Sequence, residues 1–131
     1  MWMISSQKLT SGLPGKVKIG PVEYRIEMAT DPKGEIDGQE VPVYGMVNFR
    51  KTLITIADDL PLALTWQCFI HEILHILFEH MGLEEPSEGQ IDNMAYLLLE
   101  FLLDNGFLER PYEFPALESA FRISDVNSDG R

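Results

Sequence analysis

The sequence predicts an α+β fold, in which a small twisted sheet of about three strands packs on one buried helix and a second long helix crosses beside it. Alternating and β-branched apolar residues in the first half indicate strands, whereas the second half holds two long segments with helix start and stop signals. With 131 residues, 45 % of them apolar, the chain is expected to form one domain over residues 1–131. Residues 1–15 are interpreted as a loose lead-in and residues 107–131 as a C-terminal extension.

The strands are predicted in order along the first half of the chain. Residues 16–28 alternate apolar and polar side chains on either side of the turn signal Gly20-Pro21. Residues 30–42 are rich in Asp, Gly and Pro and are therefore predicted to form a loop. Residues 44–49 are expected to form a short strand, and the β-branched run at 52–57 forms the next one.

The first helix is predicted over residues 62–81. Asp58-Asp59-Leu60-Pro61 has the form of an acidic N-cap followed by a proline in the first turn, and Gly82 stands at the usual C-terminal position. The segment between these signals is apolar on nearly every side, which is typical of a buried helix.

The second helix is predicted from the capping-box pattern Ser87-x-x-Gln90 to about Asn105. Beyond it, residues 116–121 are expected to form a short helix. The apolar side of the second helix is predicted to consist of Ile91, Met94, Ala95, Leu98, Leu99 and Leu102.

Composition and charge limit the function classes. A single cysteine excludes a disulfide framework, and the chain contains neither an apolar run of 18 residues nor a signal-peptide pattern at its start, so a cytoplasmic protein without a membrane span is expected. The net charge is −11, and residues 61–131 hold thirteen acidic and three basic side chains. Because affinity for nucleic acids rests on cations that neutralise phosphates, direct nucleic-acid binding is not expected.

The pattern that carries chemistry is His71-Glu72-Ile73-Leu74-His75, which has the form HExxH. Helical residues four apart lie on one face, so both imidazoles can bind one zinc ion, and Glu72 can act as the general base for a water molecule. A shuffled chain of this composition contains the pattern in about 0.7 % of cases. The alternative is a pair of packed histidines satisfied by local hydrogen bonds, although unpaired polar groups are costly in a buried helix.

The third zinc ligand is predicted on the second helix, where Glu88 and Asp92 lie four residues apart on one face. Glu88 is the preferred ligand, and Asp92 is interpreted as the hydrogen-bond partner of a ligand histidine or as the alternative third ligand. His80 is about 140° from His75 around the helix and is expected to point away. Glu79 has a better phase but lies a further turn along the same helix.

Four other side chains are weaker candidates. Cys68 lies one turn before His71 on the same face, where a thiol beside the metal is conceivable, but core packing is the preferred interpretation. Tyr96 flanks the acidic face of the second helix and is a candidate stabiliser of the transition state. Tyr44 and Tyr112 are equally open for that role.

A family resemblance rests on several short segments besides residues 71–75. They are Val-Glu-Tyr-Arg-Ile at 22–26, Tyr-Gly-x-Val-Asn at 44–48, Leu-Ile-Thr-Ile at 53–56, Met-Gly-Leu at 81–83, Ile-Asp-x-Met-Ala at 91–95 and Leu-Leu-Asp-Asn at 102–105. Through these segments, about two-thirds of the chain resembles small phage and prophage proteins related to the ImmA/IrrE-like metallopeptidases, which are zincins of the HExxH type. The resemblance implies a compact α+β zincin fold, His71 and His75 as zinc ligands, an acidic third ligand on the next helix, and Glu72 as the base.

The expected function is therefore zinc-dependent hydrolysis of a peptide bond. The resemblance implies a protein substrate such as a repressor or host regulator, an origin in a phage or mobile element, and action in the host cytosol. The alternative comes from the acidic charge, which also suits a phage-encoded binding or inhibitor protein that blocks a host DNA-binding factor, with a structural metal or none.

Overall fold

A computed structural model describes residues 7–8 and 13–109 of the chain, and the fold of this part is α+β. Strands fill the first half and two long helices the second, in agreement with the sequence prediction. In chain order the elements are β1 (Gln7–Lys8), β2 (Lys16–Ile19), β3 (Val22–Ala29), β4 (Lys33–Ile36), β5 (Gln39–Pro42), β6 (Gly45–Asn48), β7 (Leu53–Ala57), α1 (Leu62–Met81), α2 (Glu88–Asp104) and β8 (Leu108–Glu109).

The main sheet has four strands in the order β2-β3-β7-β6, one more than predicted. The turn at Gly20-Pro21 joins β2 to β3 in an antiparallel pair, and Gly20 adopts a positive φ of 58° there. Strands β3 and β7 are parallel, whereas β6 and β7 are antiparallel. Strand β6 therefore forms one edge of the sheet within the described residues.

The prediction of a loop over residues 30–42 is wrong, because β4 and β5 form a hairpin there. Its two-residue turn, Asp37-Gly38, has positive φ at both positions (53° and 79°), as a type I′ turn requires. An Asp-Gly pair is itself a hairpin signal, but the exposed strands beside it carry little apolar alternation. A further short parallel pair joins β1 and β8, which come from the lead-in and the C-terminal extension.

Helix α1 has the predicted bounds but starts differently. Its N-cap is Pro61, which makes no side-chain capping bond, and its first turn holds no acidic residue. The predicted acidic N-cap is wrong because Asp58 instead accepts a hydrogen bond from the Thr30 hydroxyl at 2.7 Å. At the other end Gly82 adopts the left-handed conformation (φ 67°), as the sequence predicts.

Helix α1 lies between two apolar clusters. One face packs against the sheet, where Tyr24, Ile54 and Ile56 are buried together with Phe69 and Ile76. The other face packs against α2. Burial of both faces explains why α1 is apolar nearly all round.

The capping box at Ser87 and Gln90 is present at the start of α2, as predicted. The prediction of its apolar side is right for Ile91, Ala95 and Leu99 and wrong for two others, since Met94 and Leu98 are exposed. Leu103 is buried in their place. The buried residues of α2 are thus spaced four apart along the chain, at 91, 95, 99 and 103.

Two sequence predictions, the helix at 116–121 and the role of Tyr112, concern residues outside the described part of the chain. Within the described part, neither helix is both long and apolar enough to cross a membrane.

Candidate metal centre

The two histidines of the 71–75 pattern lie one turn apart on the face of α1 that meets α2. Their side chains are 13 % and 16 % exposed, and their ring centroids are 4.9 Å apart. Helix α1 places them by spacing alone, because residues four apart share a face. Both rings therefore border a common space between the helices.

Three donor atoms converge in this space. Nε2 of His71 lies 2.9 Å from Oε1 of Glu88, and Nε2 of His75 lies 3.1 Å from Oε2 of the same carboxylate. The two Nε2 atoms are 3.1 Å apart. Two ligand atoms that each lie about 2.0–2.1 Å from a tetrahedral zinc ion are about 3.3 Å apart. The three donor atoms would therefore move by only a few tenths of an ångström to bind zinc. The arrangement and the donor types, two imidazoles and a carboxylate, fit zinc.

Asp92 binds the far side of His71. Its Oδ1 lies 3.1 Å from Nδ1 of His71 and accepts a second hydrogen bond, at 3.0 Å, from Nε2 of Gln67. Gln67 is 1 % exposed, so the carboxylate is anchored to the interior. A carboxylate on Nδ1 fixes the tautomer that leaves Nε2 free to bind a metal. Asp92 thus contacts a candidate ligand histidine, as the sequence analysis expects of it, whereas Glu88 contacts both imidazoles.

Glu85 contacts Nδ1 of His75 in the same way that Asp92 contacts Nδ1 of His71. The sequence analysis does not predict this role for Glu85. Its Oε1 lies 2.9 Å from Nδ1 of His75. Glu85 belongs to the connector between the helices, which has no periodic pattern that could predict a direction for its side chain. In the sequence, the pair of glutamates ahead of Pro86 indicates a break between the two helices and does not indicate a partner for a histidine.

Glu72 is buried, with 7 % of its surface exposed, at the junction of α1 and β6. A Cβ atom on Gly45 would lie 3.3 Å from Oε2 of Glu72 and 3.0 Å from Cδ1 of Ile56. The absence of a side chain at Gly45 therefore lets the strand approach this carboxylate. Strand β6 and Glu72 therefore lie side by side along the candidate metal centre.

A cleft of about 570 Å³ runs from the β4–β5 hairpin along β6 to the candidate ligands. Of the two candidate tyrosines that the structure describes, Tyr44 lines this cleft, whereas Tyr96 packs against the cluster between the helices. Cys68 packs against the sheet-side cluster and also lines the cleft. The described residues that line it are Ile36, Pro42, Val43, Tyr44, Gly45, Met46, Val47, Phe49, Cys68, His71, Glu72, His75, Glu88 and Asp92.

The remaining polar candidates on α1 lie elsewhere. Nε2 of His80 forms a 3.0 Å hydrogen bond with the hydroxyl group of Tyr24 on β3, so this ring points away from the site as its phase predicts. Glu79 is exposed in the last turn. Burial raises the pKa of the Cys68 thiol, as do the charges of Glu72 and Asp92, which disfavours a thiolate ligand.

Hydrogen bonds and burial shift the pKa values of the candidate site residues. Burial alone would lower the pKa of His71, but hydrogen bonds to Asp92 and Glu88 outweigh it and raise this pKa to about 9. The bond to Glu88 also raises the pKa of His75, and both histidines hold the pKa of Glu88 far below its usual range. Burial raises the pKa of Glu72, against the influence of the two rings.

Three protein ligands leave one position of a tetrahedral zinc ion open, which is the arrangement of catalytic and not of structural sites. The buried carboxylate of Glu72 lies beside the same cleft. Comparisons of this chain with protein-family models, curated proteins and solved structures find no match. The assignment of the site therefore rests on its own geometry.

Proposed function

We propose that the protein is a zinc-dependent metallopeptidase in which His71, His75 and Glu88 hold the ion. The observation that carries the proposal is the convergence of their donor atoms, 2.9–3.1 Å apart, on a cleft that also receives Glu72. When bound, zinc supplies Lewis-acid chemistry: it polarises a carbonyl group and lowers the pKa of water. The proposal includes the fold: we infer that the observed α+β arrangement is a minimal zincin-like fold.

Glu72 serves as the general base. Its burial raises its pKa toward the range in which a carboxylate accepts a proton well, and its position on the cleft wall brings it next to a substrate carbonyl. Asp92 and Glu85 keep the Nδ1 atoms of the two histidines protonated, so the rings cannot rotate out of their binding geometry. Of the candidate tyrosines that the structure describes, Tyr44 is the one that lines the cleft, and its hydroxyl group donates a hydrogen bond to the developing oxyanion.

The edge of β6 supports a peptide as the substrate. The Ala57 N–H donates to the Tyr44 carbonyl at 2.8 Å, so Tyr44 and Ala57 form a hydrogen-bonded antiparallel pair. Because such pairs alternate, the backbone groups of Gly45 and Val47 point outward from the sheet into the cleft. An extended peptide can bind to these groups as an added strand, which brings its backbone past Glu72.

The resemblance to ImmA/IrrE-like metallopeptidases supports a repressor or another regulatory protein as the substrate. It also supports a phage or mobile-element origin and action in the cytosol of the host. The competing function is that of an acidic inhibitor with a structural metal or none. A site closed by a fourth protein ligand, or a complex that competes with DNA, would favour it.

The test is a comparison of zinc-loaded wild type with zinc-loaded Glu72→Gln. Each is incubated with host proteins, and newly formed N-termini are identified by mass spectrometry. We expect cleavage by the wild type only, with equal zinc content in both proteins, because glutamine is nearly isosteric and cannot accept the proton. Equal zinc content without any cleavage, together with a stable complex with a DNA-binding protein, would favour the inhibitor.

A further inference from the structure

Among the residues that the structure describes, the cleft beside the candidate metal centre is lined by carboxylates and by no lysine or arginine. Its fourteen described lining residues include Glu72, Glu88 and Asp92. Glu85, which binds His75, adds a fourth carboxyl group at the same place. Since a histidine that binds a metal ion is neutral, a bound divalent ion offsets only two of these four negative charges.

The helical segment that supplies these carboxylates holds no lysine or arginine that could compensate for their charge. Residues 61–109 contain nine acidic side chains and not one lysine or arginine. Cations of the described part lie in the sheet half, and three of them form ion pairs with acidic neighbours: Lys16 with Glu23, Arg25 with Glu27, and Lys33 with Asp31. Charge that is confined to one wall of a cleft produces a field that acts on an approaching ligand.

The described lining residues from the sheet half are apolar, apart from the hydroxyl group of Tyr44 and the backbone groups of β6. Side chains that border the cleft between the hairpin and the end of β6 are Ile36, Pro42, Val43, Tyr44, Met46, Val47 and Phe49. Such a surface accepts apolar side chains, while the outward backbone groups of Gly45 and Val47 bind a main chain. The described cleft offers no arginine fork or lysine with which to bind a terminal carboxylate.

We propose, on the basis of the function assigned above, that the substrate is an internal polypeptide segment with apolar residues at the cleaved bond and lysine or arginine in the flanking positions. A free C-terminal carboxylate beside the cleaved bond is excluded by the same charge. The site thus acts as an endopeptidase that is selective for cationic segments, not as a carboxypeptidase.

Binding to zinc-loaded Glu72→Gln tests this selectivity without relying on turnover. Three fluorescent peptides share one apolar centre and differ in their flanking residues, which are Lys, Ser or Glu. Each peptide is made as a pair, one member with an amidated and the other with a free C-terminus close to the centre. Fluorescence anisotropy should give an affinity about tenfold higher for the Lys than for the Glu peptide at low ionic strength, and a smaller ratio in 1 M salt. Free C-termini should weaken binding in every pair.

A matched pair of variants locates the effect. Ile36 and Leu97 are exposed to similar degrees, 61 % and 64 %, but only Ile36 lines the cleft. In the Glu72→Gln background, Ile36→Lys should strengthen binding of the Glu peptide relative to the Lys peptide several-fold, whereas Leu97→Lys should leave the ratio unchanged. An equal response to both variants would assign the effect to net charge and overturn the proposal.

The outcomes separate this inference from the proposed function. If wild type binds zinc and cleaves peptides but all flanks bind equally, only the charge selectivity is wrong. Tighter binding of the Glu peptide or of free C-termini would also overturn it. A protein that binds no zinc and none of the peptides contradicts both the selectivity and the metallopeptidase assignment.

Discussion

Removal of the Glu88 carboxylate should weaken zinc binding far more than removal of the Asp92 carboxylate. Glu88 has one oxygen 2.9 Å from Nε2 of His71 and the other 3.1 Å from Nε2 of His75, so Glu88→Ala removes a donor from the centre itself. Asp92 contacts only Nδ1 of His71, which faces away from the ion. Asp92→Ala should therefore lower the affinity about 10–100-fold, which corresponds to about 1.4–2.7 kcal/mol. Glu88→Ala should exceed that range.

The assay is competition with a chelating dye at constant pH, with circular dichroism of each variant to establish that the helices remain. His80→Ala serves as the control, since this ring is hydrogen-bonded to Tyr24 and lies outside the centre. Its zinc affinity should equal that of the wild type. A greater loss from Asp92→Ala than from Glu88→Ala would exchange the two roles, and loss of zinc from His80→Ala would refute the helix geometry.

Four further predictions concern the metal, pH, the strand edge and nucleic acids. Chelation should lower the melting temperature by about 10 °C when the zinc had been at about 100 times its Kd, as calorimetry can measure. The pKa of His71 is raised from 6.5 to about 9, so protonated His71 stabilises the metal-free protein fully below pH 6.5. This stabilisation is lost as the pH rises through 9, and urea unfolding should therefore show a lower free energy of unfolding at pH 9.5 than at pH 6. Gly45→Ala should reduce hydrolysis but retain zinc, because the new Cβ would lie 3.3 Å from Oε2 of Glu72, and parallel assays of turnover and dye competition test this. No gel shift of duplex DNA is expected at micromolar protein and low salt, given the charge of −11.

Local sequence signals predicted the helices and the geometry within them. Gly82 and the capping box at Ser87 each act through neighbouring backbone groups, so their positions can be inferred without the rest of the fold. The pairing of His71 with His75 likewise depends only on helical spacing. These are the features that the structure and the sequence describe in the same way.

Features that depend on contacts between distant segments could not be predicted in this way. Asp58 follows the pattern of an N-cap, but its carboxylate is taken by Thr30, which is 28 residues away in the chain. Glu85 lies in a connector whose course is set by the packing of the two helices. Met94 and Leu98 are apolar residues at plausible core positions, and only the orientation of α2 against α1 determines that they are exposed.

The three candidate ligands and the described side chains that hydrogen-bond to them lie in one short stretch, residues 67–92, which runs from the first half of α1 through the connector to the start of α2. An ion bound there closes a single short loop, whose entropic cost is small. The parallel pairing of β3 with β7 instead joins residues 25–29 to residues 53–57 and leaves a longer segment between them. If this centre binds zinc as proposed, we expect the helical hairpin to form around the ion before the sheet is complete, so that the ion would also promote folding.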